Sequence, residues 1–351
     1  MSARLRNERA RDALLLTLVL TGSAHTAVAQ TFKIGLIDFY GLHRVSEQDA
    51  RRALTLAEGD TLSLAGDEPP AFLAESERRL ARLPGVVSAR ASIVCCEGDR
   101  LIIYVGVEER GGATMQFRAA PTGTARLPAD IVQAGDDFSA AFMAAVQRGD
   151  AAEDDSQGHA LFHDPATRAV QERFVDYAAR DTDLLRRVLG ESSSADQRAL
   201  SAQVLGYVVD KQAMVGDLVG AMSDASETVR NNAMRALVVF TRMTPTATQA
   251  VPRIPYDSFI GLLHSLMWTD RNKSSLALME LSERRDPELL AKLRKEAIEP
   301  LVDMARWKND GHAMPGLMLL GRIAGWSDDA TRAVSGSDQR EDVIRAALAA
   351  R

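Results

Sequence analysis

The stretch SETVRNNAMRAL, residues 226–237, decides the fold because its pattern also occurs thirty-two residues earlier, as SADQRALSAQVL at residues 194–205. In both copies an arginine is followed by a small residue three positions later and by a leucine seven positions later. Two looser copies begin near Asp270 and His312. A period of roughly 30 to 45 residues built from paired helices is typical of an alpha-solenoid. One leucine of each copy is expected in the core: Leu205, Leu237, Leu278 and Leu320.

The residues VRNNAMRAL at 229–237, and more loosely those at 197–206, resemble HEAT-like repeats, which have an armadillo-type fold. Members of that family are scaffolds and adaptors that bind protein partners on the ridge or the inner surface of the array. The resemblance implies a HEAT-like solenoid over residues 194–351, and it implies protein binding rather than catalysis.

Residues 32–109 have a different pattern from the helical remainder. In the last segment, Leu101, Ile103, Val105 and Val107 occupy alternate positions and so share one face, as a half-buried strand requires. The expected elements are a strand (32–38), two helices (46–59 and 69–83) and a hairpin of two further strands (86–96 and 100–108). The predicted order is strand, helix, helix, strand, strand.

This order resembles the polypeptide-transport-associated (POTRA) domain of envelope and outer-membrane assembly proteins. The residues that carry the resemblance are 34–38, Gly41, Val45, Ser46, Gly59, Asp60, 83–86 and 105–108. Family members bind partner chains by adding a strand to an exposed sheet edge. A POTRA-like domain is therefore expected over residues 30–110, and the implied partners include envelope assembly components. A structural cap or a docking module for another protein is the alternative role.

The first residues have the three parts of a secretory signal. Four arginines precede an apolar run over residues 13–20, and Ala27-Val28-Ala29 offers a cleavage site. The apolar run is shorter than the ~20 residues that a membrane span needs. The sequence predicts a signal peptide over residues 1–29 and an exported mature chain, periplasmic or secreted, without a transmembrane span.

Charge and cysteine content argue against two further classes of protein. Loss of residues 1–29 removes four arginines and two acidic residues and changes the formal charge from -6 to -8. An acidic chain without a basic cluster is not expected to bind nucleic acid. The two cysteines, Cys95 and Cys96, are adjacent, so an ordinary disulfide is not expected. Two free thiols, a strained vicinal disulfide and a bridge to another chain remain the alternatives.

Residues 111–136 are rich in glycine and proline and are predicted to be a linker, with a short strand at 114–118. Residues 137–193 follow as a helical segment that contains an acidic loop and then an entry pair of helices over residues 165–179 and 181–189. The repeats are expected to pair a helix over residues 195–208 with one over 212–222, and one over 228–241 with one over 258–267. Further helices are expected after residue 271, and the last of them ends at residue 350. The expected fold class is thus α+β: a small POTRA-like β-α-α-β-β domain followed by an all-α HEAT-like solenoid.

The acidic loop contains the one arrangement of residues that suggests a metal. His159 and His163 are four positions apart and Asp164 follows, which suits metal ligands if the segment is helical. The glutamate of the zinc-protease motif is missing between the histidines, so a solvated loop before a helix capped by Asp164 is expected. A metal-dependent hydrolase that uses these three residues is the alternative function.

Other catalytic motifs are missing from the sequence. It has no phosphate-binding loop, nucleophile elbow, zinc-protease motif or dinucleotide-binding motif. Some HEAT-like proteins are lyases that attach bilins to antenna proteins, but an exported chain is not expected to meet such substrates. The predicted function is a non-catalytic interaction scaffold with neither cofactor nor metal and with a protein partner of unknown identity.

Two of the three tryptophans lie in predicted loops between repeats, beside cationic and amide side chains that are common at binding hot spots. The predicted partner-binding edge consists of Trp268, Asp270, Arg271, Asn272, Lys273, Trp307, Lys308 and Asn309. The alternative is that each tryptophan packs on the neighbouring repeat. Arg198 and Arg230 are expected to be structural and to form partly exposed pairs, with Asp196 and Glu227 as candidate partners.

Overall fold

The protein has an α+β fold in a computed structural model that describes residues 30–64, 71–97, 100–246 and 249–350. The predicted signal peptide and the side chains of Cys95 and Cys96 lie outside the described residues. Contacts divide the chain into a middle unit, residues 116–258, and a split unit, formed by residues 30–115 and 259–350. Within the described ranges no helix has the length and apolar character needed to cross a membrane.

The described residues form six strands, all before residue 163, and fourteen helices. The strands are β1 (Gln30–Tyr40), β2 (Thr61–Leu64), β3 (Val86–Glu97), β4 (Arg100–Glu109), β5 (Glu153–Asp154) and β6 (Leu161–Phe162). The helices are α1 (Glu47–Ala53), α2 (Ala71–Leu80), α3 (Ala129–Gln147), α4 (Pro165–Glu191), α5 (Ala195–Leu205), α6 (Lys211–Ala221), α7 (Glu227–Thr241), α8 (Asp257–Leu262), α9 (Trp268–Leu281), α10 (Pro287–Glu296), α11 (Ile298–Ala305), α12 (Asp310–Ile323), α13 (Asp328–Ala333) and α14 (Arg340–Ala349).

The split unit contains a mixed sheet with the strand order β2-β1-β4-β3. β1 is parallel to β4 and antiparallel to β2, while β3 is antiparallel to β4. The five predicted elements are present in the predicted order, and β2 is an additional strand. β2 has the sequence Thr61-Leu62-Ser63-Leu64, which alternates polar and apolar residues over the shortest run that predicts a strand, and the sequence prediction did not include it.

Strand β4 is buried on both faces of the sheet. Leu101, Ile103, Val105 and Val107 share one face, as predicted, and pack in one core with residues of α1 and α2 such as Ala50 and Leu80. Successive side chains of a strand point to opposite faces. The other face therefore carries Tyr104, which stacks on Trp268 of α9. The strand-helix-helix-strand-strand region and the C-terminal helices consequently share one compact unit.

The helices predicted from residue 165 onward are present with shifted ends. Where the sequence predicts two helices, over residues 165–179 and 181–189, the structure has one helix, α4, with a kink at Asp181 (φ -119°, ψ 21°). The four leucines predicted in the core are confirmed. Leu205, Leu237, Leu278 and Leu320 are all 0% exposed.

Two local predictions for the middle of the chain are wrong. Helix α3 begins at Ala129, inside the predicted linker, and residues 114–118 form no strand. The end of that segment is held instead by helix ends of the middle unit. The Arg118 amide donates to the Ser223 carbonyl, and the ring of Phe117 lies 3.8 Å from the Arg230 guanidinium carbon.

The acidic loop is not the solvated loop that its composition predicted. β5 and β6 pair as a two-stranded ribbon, and Ala160, Leu161 and Phe162 are buried. Glu153 forms an ion pair with Arg235 of α7, and Asp155 forms one with Arg242 at 3.1 Å. Because these carboxylates face arginines, the loop is held on the surface of α7 in the middle unit.

Candidate functional site

The tryptophans of the predicted partner-binding edge are buried in the split unit. Trp268, the first residue of α9, is 2% exposed and stacks on Tyr104 with the ring centroids 5.4 Å apart. Trp307, which follows α11, is 0% exposed and its ring centroid lies 4.9 Å from that of Tyr104. This burial favours the alternative, that each tryptophan has a packing role, and both indoles pack on the face of β4 that carries Tyr104.

Most other residues of the predicted edge are also covered. Asp270, Arg271, Asn272 and Lys273 are buried within α9, whose first eleven residues are all buried. Asn309 is half-buried and caps α12 by accepting a hydrogen bond from the His312 amide at 3.0 Å. Lys308 is exposed, and its backbone amide donates to Asp38 at 2.7 Å. These residues build the interior of the split unit, and only Lys308 presents its side chain broadly to solvent.

One histidine belongs to this aromatic cluster. His312 Nδ1 lies 2.9 Å from the Tyr104 hydroxyl, and the imidazole meets Trp268 edge to face at a centroid distance of 4.9 Å. Burial lowers the pKa of His312 to about 4. The ring is therefore neutral at pH 7 in the folded protein.

Acid is expected to destabilise the split unit through His312. The unfolded chain takes up a proton near pH 6.5, and the folded chain does so only near pH 4, so stability is lost as the pH falls between these values. We expect His312→Gln to remove about 2–3 kcal/mol of the acid-induced loss, measured by urea unfolding at pH 7 and pH 4. His163→Gln, at an exposed histidine, is the matched control. Equal acid sensitivity in both variants would contradict this expectation.

Of the three residues of the alternative metal site, Asp164 and His159 have other contacts in the middle unit, and His163 is exposed. Asp164 caps α4 by accepting hydrogen bonds from Thr167 and also pairs with Arg148 at 2.5 Å. His159 lies against the Tyr207 ring, and its Nδ1 is 3.5 Å from the ammonium nitrogen of Lys211. Within the described ranges, no three or more His, Cys, Asp or Glu side chains are grouped so that they could hold a metal ion.

The arginines of the two clearest sequence copies are buried rather than partly exposed. Arg198 pairs with Asp224 at 2.8 Å, which was not among the candidate partners. Its Nη1 also donates to the Ser192 carbonyl at 2.8 Å. Arg230 donates to the Asp224 carbonyl at 2.8 Å. Asp224 thus binds Arg198 through its carboxylate and Arg230 through its backbone carbonyl. No local sequence pattern indicated this role.

The outer edge of β3 is the longer of the two edges of the sheet, whose other edge is β2. β3 has twelve residues and is paired only with β4 among the described strands. The Ala91 amide donates to Glu77 of α2 at 2.9 Å, so it points away from β4. Because antiparallel strands alternate the direction of their amides, Ala89 and Ile93 face the same way. Val87, near the start of the strand, is 52% exposed.

The sequence predicted β3 as a strand but did not identify which edge of the sheet is open. That information comes from the strand order, which leaves β2 and β3 as the edges, and from the greater length of β3. The role of Glu77 was also not predicted from the sequence. Its side chain accepts the hydrogen bond of the Ala91 amide, which a partner strand would have to replace. No protein-family model matches the chain, and no curated protein is similar to it.

Proposed function

We propose that this chain is an exported, non-catalytic scaffold that binds a protein partner as an added strand along the outer edge of β3. The observation that carries the proposal is the outer side of this twelve-residue edge strand, with which no other described strand pairs. Outward amides and carbonyls of an edge strand form hydrogen bonds to an extended peptide, which is how β-augmentation provides affinity. The POTRA-like order of elements supports the same mode of binding and envelope components as partners.

The second part of the proposal is that the C-terminal helices form HEAT-like repeats. Three helices begin with one shared contact that supports it: an arginine donates to the carbonyl six residues earlier. The pairs are Arg198 with Ser192 at 2.8 Å, Arg230 with Asp224 at 2.8 Å and Arg271 with Ser265 at 2.7 Å. In each case the side-chain oxygen of the earlier residue accepts from the amide two residues later.

The recurring contact explains why the arginine is part of the repeat. The carbonyl and side chain before each helix would otherwise lack partners as the chain turns into the helix. The third copy, around Arg271, deviates in sequence from the first two but has the same contact. The proposed array serves as a rigid support for the sheet or as a second surface for a protein partner.

A proline at Ala91 tests the binding edge. Proline removes an amide that faces away from β4, so the β3–β4 ladder is retained while the edge is blocked. Extended peptides selected by phage display on the full chain are expected to protect the amides of Ala89 and Ile93 from hydrogen exchange. Ala91→Pro is expected to abolish this protection and the peptide binding.

The matched control is Ala91→Val, which keeps the amide and the strand conformation. It is expected to bind the selected peptides as the parent chain does. Selected peptides that bind the proline variant unchanged, or that protect only helical amides, would overturn the β3 edge as the binding site.

A further inference from the structure

A small cavity lies in the split unit next to Arg271. Its volume is about 60 Å³, which is room for a few water-sized groups. Its polar lining includes His43, Thr114, His264, Arg271, Glu299 and Asp303. The cavity does not include the outer edge of β3, so a ligand bound there is independent of the proposed function.

Arg271 has a hydrogen-bond donor that the described protein does not satisfy. The residue is 5% exposed, and its guanidinium lies over the Tyr40 ring at 4.4 Å. Its Nε donates to the Ser265 carbonyl at 2.7 Å. Its Nη1 is buried and has no hydrogen-bond partner among the described residues. A buried donor on a charged group strongly favours an acceptor, because leaving it unpaired is destabilising.

An acceptor faces this donor across the cavity. Asp303 Oδ2 lies 3.9 Å from Arg271 Nη1, beyond hydrogen-bond distance, and accepts from the Gly41 amide at 2.9 Å. A group that accepts a hydrogen bond from the Arg271 guanidinium and donates one to the Asp303 carboxylate would bridge these two side chains. The spacing therefore selects a ligand with an acceptor and a donor side by side.

The charges around the cavity select against simple ions. Asp303, Glu299, Glu108 and Glu109 all line it, so an anion would face four carboxylates. Burial raises the pKa of Glu109, but hydrogen bonds from the amides of Val45, Arg44 and His43 outweigh it and hold the pKa below its usual value. A cation would meet the buried Arg271. A neutral polar group avoids both repulsions.

We propose that this cavity binds a primary carboxamide. Its carbonyl oxygen accepts a hydrogen bond from Arg271 Nη1, and its N–H donates to Asp303. The carboxamide is either the side chain of a glutamine or asparagine in a peptide, or a free small amide. Both sources share the one group that the Arg271–Asp303 pair recognises.

The test is an NMR titration of the full chain with four small probes, followed at the Arg271 Nε–Hε signal and at the Gly41 amide, which donates to Asp303 and remains as a reporter in every variant. Acetamide has both the acceptor and the donor, N,N-dimethylacetamide has only the acceptor, methylammonium has only donors, and acetate is an anion. We expect acetamide to bind at least about tenfold more tightly than the other three, as the loss of one charge-assisted hydrogen bond implies.

Two variants and one control locate the binding. Arg271→Lys is expected to weaken acetamide binding about tenfold or more, because it removes Nη1. The control is Arg306→Lys, the same change at an exposed arginine that pairs with Glu341 outside the cavity. In Asp303→Asn the amide oxygen still accepts from Gly41, but acetamide loses its charged acceptor. This variant should weaken the binding of acetamide and leave the binding of dimethylacetamide unchanged. It tests the proposal even if Arg271→Lys does not fold.

A peptide distinguishes the two sources of the carboxamide. Tighter binding of acetyl-Gly-Gln-Gly-N-methylamide than of acetamide assigns the site to a protein side chain, and equal binding assigns it to a free amide. Equal binding of all four small probes, or no response at Arg271, would overturn the proposal and leave a cavity that holds only water. Unchanged acetamide binding to Asp303→Asn would overturn it as well.

Discussion

Replacing Asp224 by alanine is expected to lower the free energy of unfolding of the middle unit by about 3–5 kcal/mol. Asp224 is 0% exposed and accepts hydrogen bonds from Arg198 Nε and Nη2 at 3.0 and 2.8 Å and from Arg118 at 2.9 Å. Burial raises its pKa, but hydrogen bonds from Arg198, Ser226 and Arg118 outweigh it, so the pKa lies below its usual value. Without the carboxylate, the buried Arg198 keeps its charge and loses its counter-ion.

Urea unfolding at pH 7 measures this effect, with hydrogen exchange of α5 and α7 to assign it to the middle unit. The matched control is Asp217→Ala, which removes an aspartate that pairs with Arg186 at the surface of the same unit. That pair is expected to contribute only about 0–1 kcal/mol. Similar losses in the two variants would show that Asp224 does not hold α5 and α7 in the way described.

Truncation of either buried tryptophan to alanine is expected to destabilise the split unit by about 3–5 kcal/mol. Trp268 and Trp307 pack on Tyr104, and their own ring centroids are 6.4 Å apart. Neither indole N–H has a hydrogen-bond partner among the described residues, so their contribution comes from packing. Trp268→Phe should therefore retain more stability than Trp268→Ala, which urea unfolding measures.

Trp326→Ala is the control for these truncations, because Trp326 is half-buried and lies outside the Tyr104 cluster. Trp326→Ala is expected to lower the free energy of unfolding less than either truncation of a buried tryptophan. If Trp268→Ala and Trp307→Ala left folding intact and abolished partner capture, the two tryptophans would form a partner-binding edge after all.

Local periodicity predicted the helices well because helix formation and one-sided burial leave a signal within a few turns. The pattern around Arg230 located α7 and placed Leu237 in the core, where it is 0% exposed. The same reasoning failed for α9. Its first turn is rich in polar residues, which is typical of a loop, yet Asp270 and Lys273 are buried. Sequence shows which residues are polar but not which other segment covers them.

The candidate sites could not be predicted from the sequence because they depend on long-range contacts. Arg118 reaches Asp224 from 106 positions away, and Tyr104 reaches His312 from 208 positions away. No spacing rule connects such residues, so neither the Asp224 cluster nor the Arg271 cavity was predicted. The hairpin of β3 and β4 was predicted because its pairing is local, whereas the open side of β3 depends on where β1 and β2 pair.

The division of the chain into units has a consequence for the order of its assembly. The split unit begins with the sheet and is completed by residues 259–350, while the middle unit is one continuous segment. In a polypeptide that emerges from its amino terminus, the residues of the sheet come first, and the tryptophans that cover Tyr104 follow only after the whole middle unit. The middle unit has every residue it needs earlier. A chain cut short after residue 258 would contain the sheet and lack both indoles that pack on Tyr104.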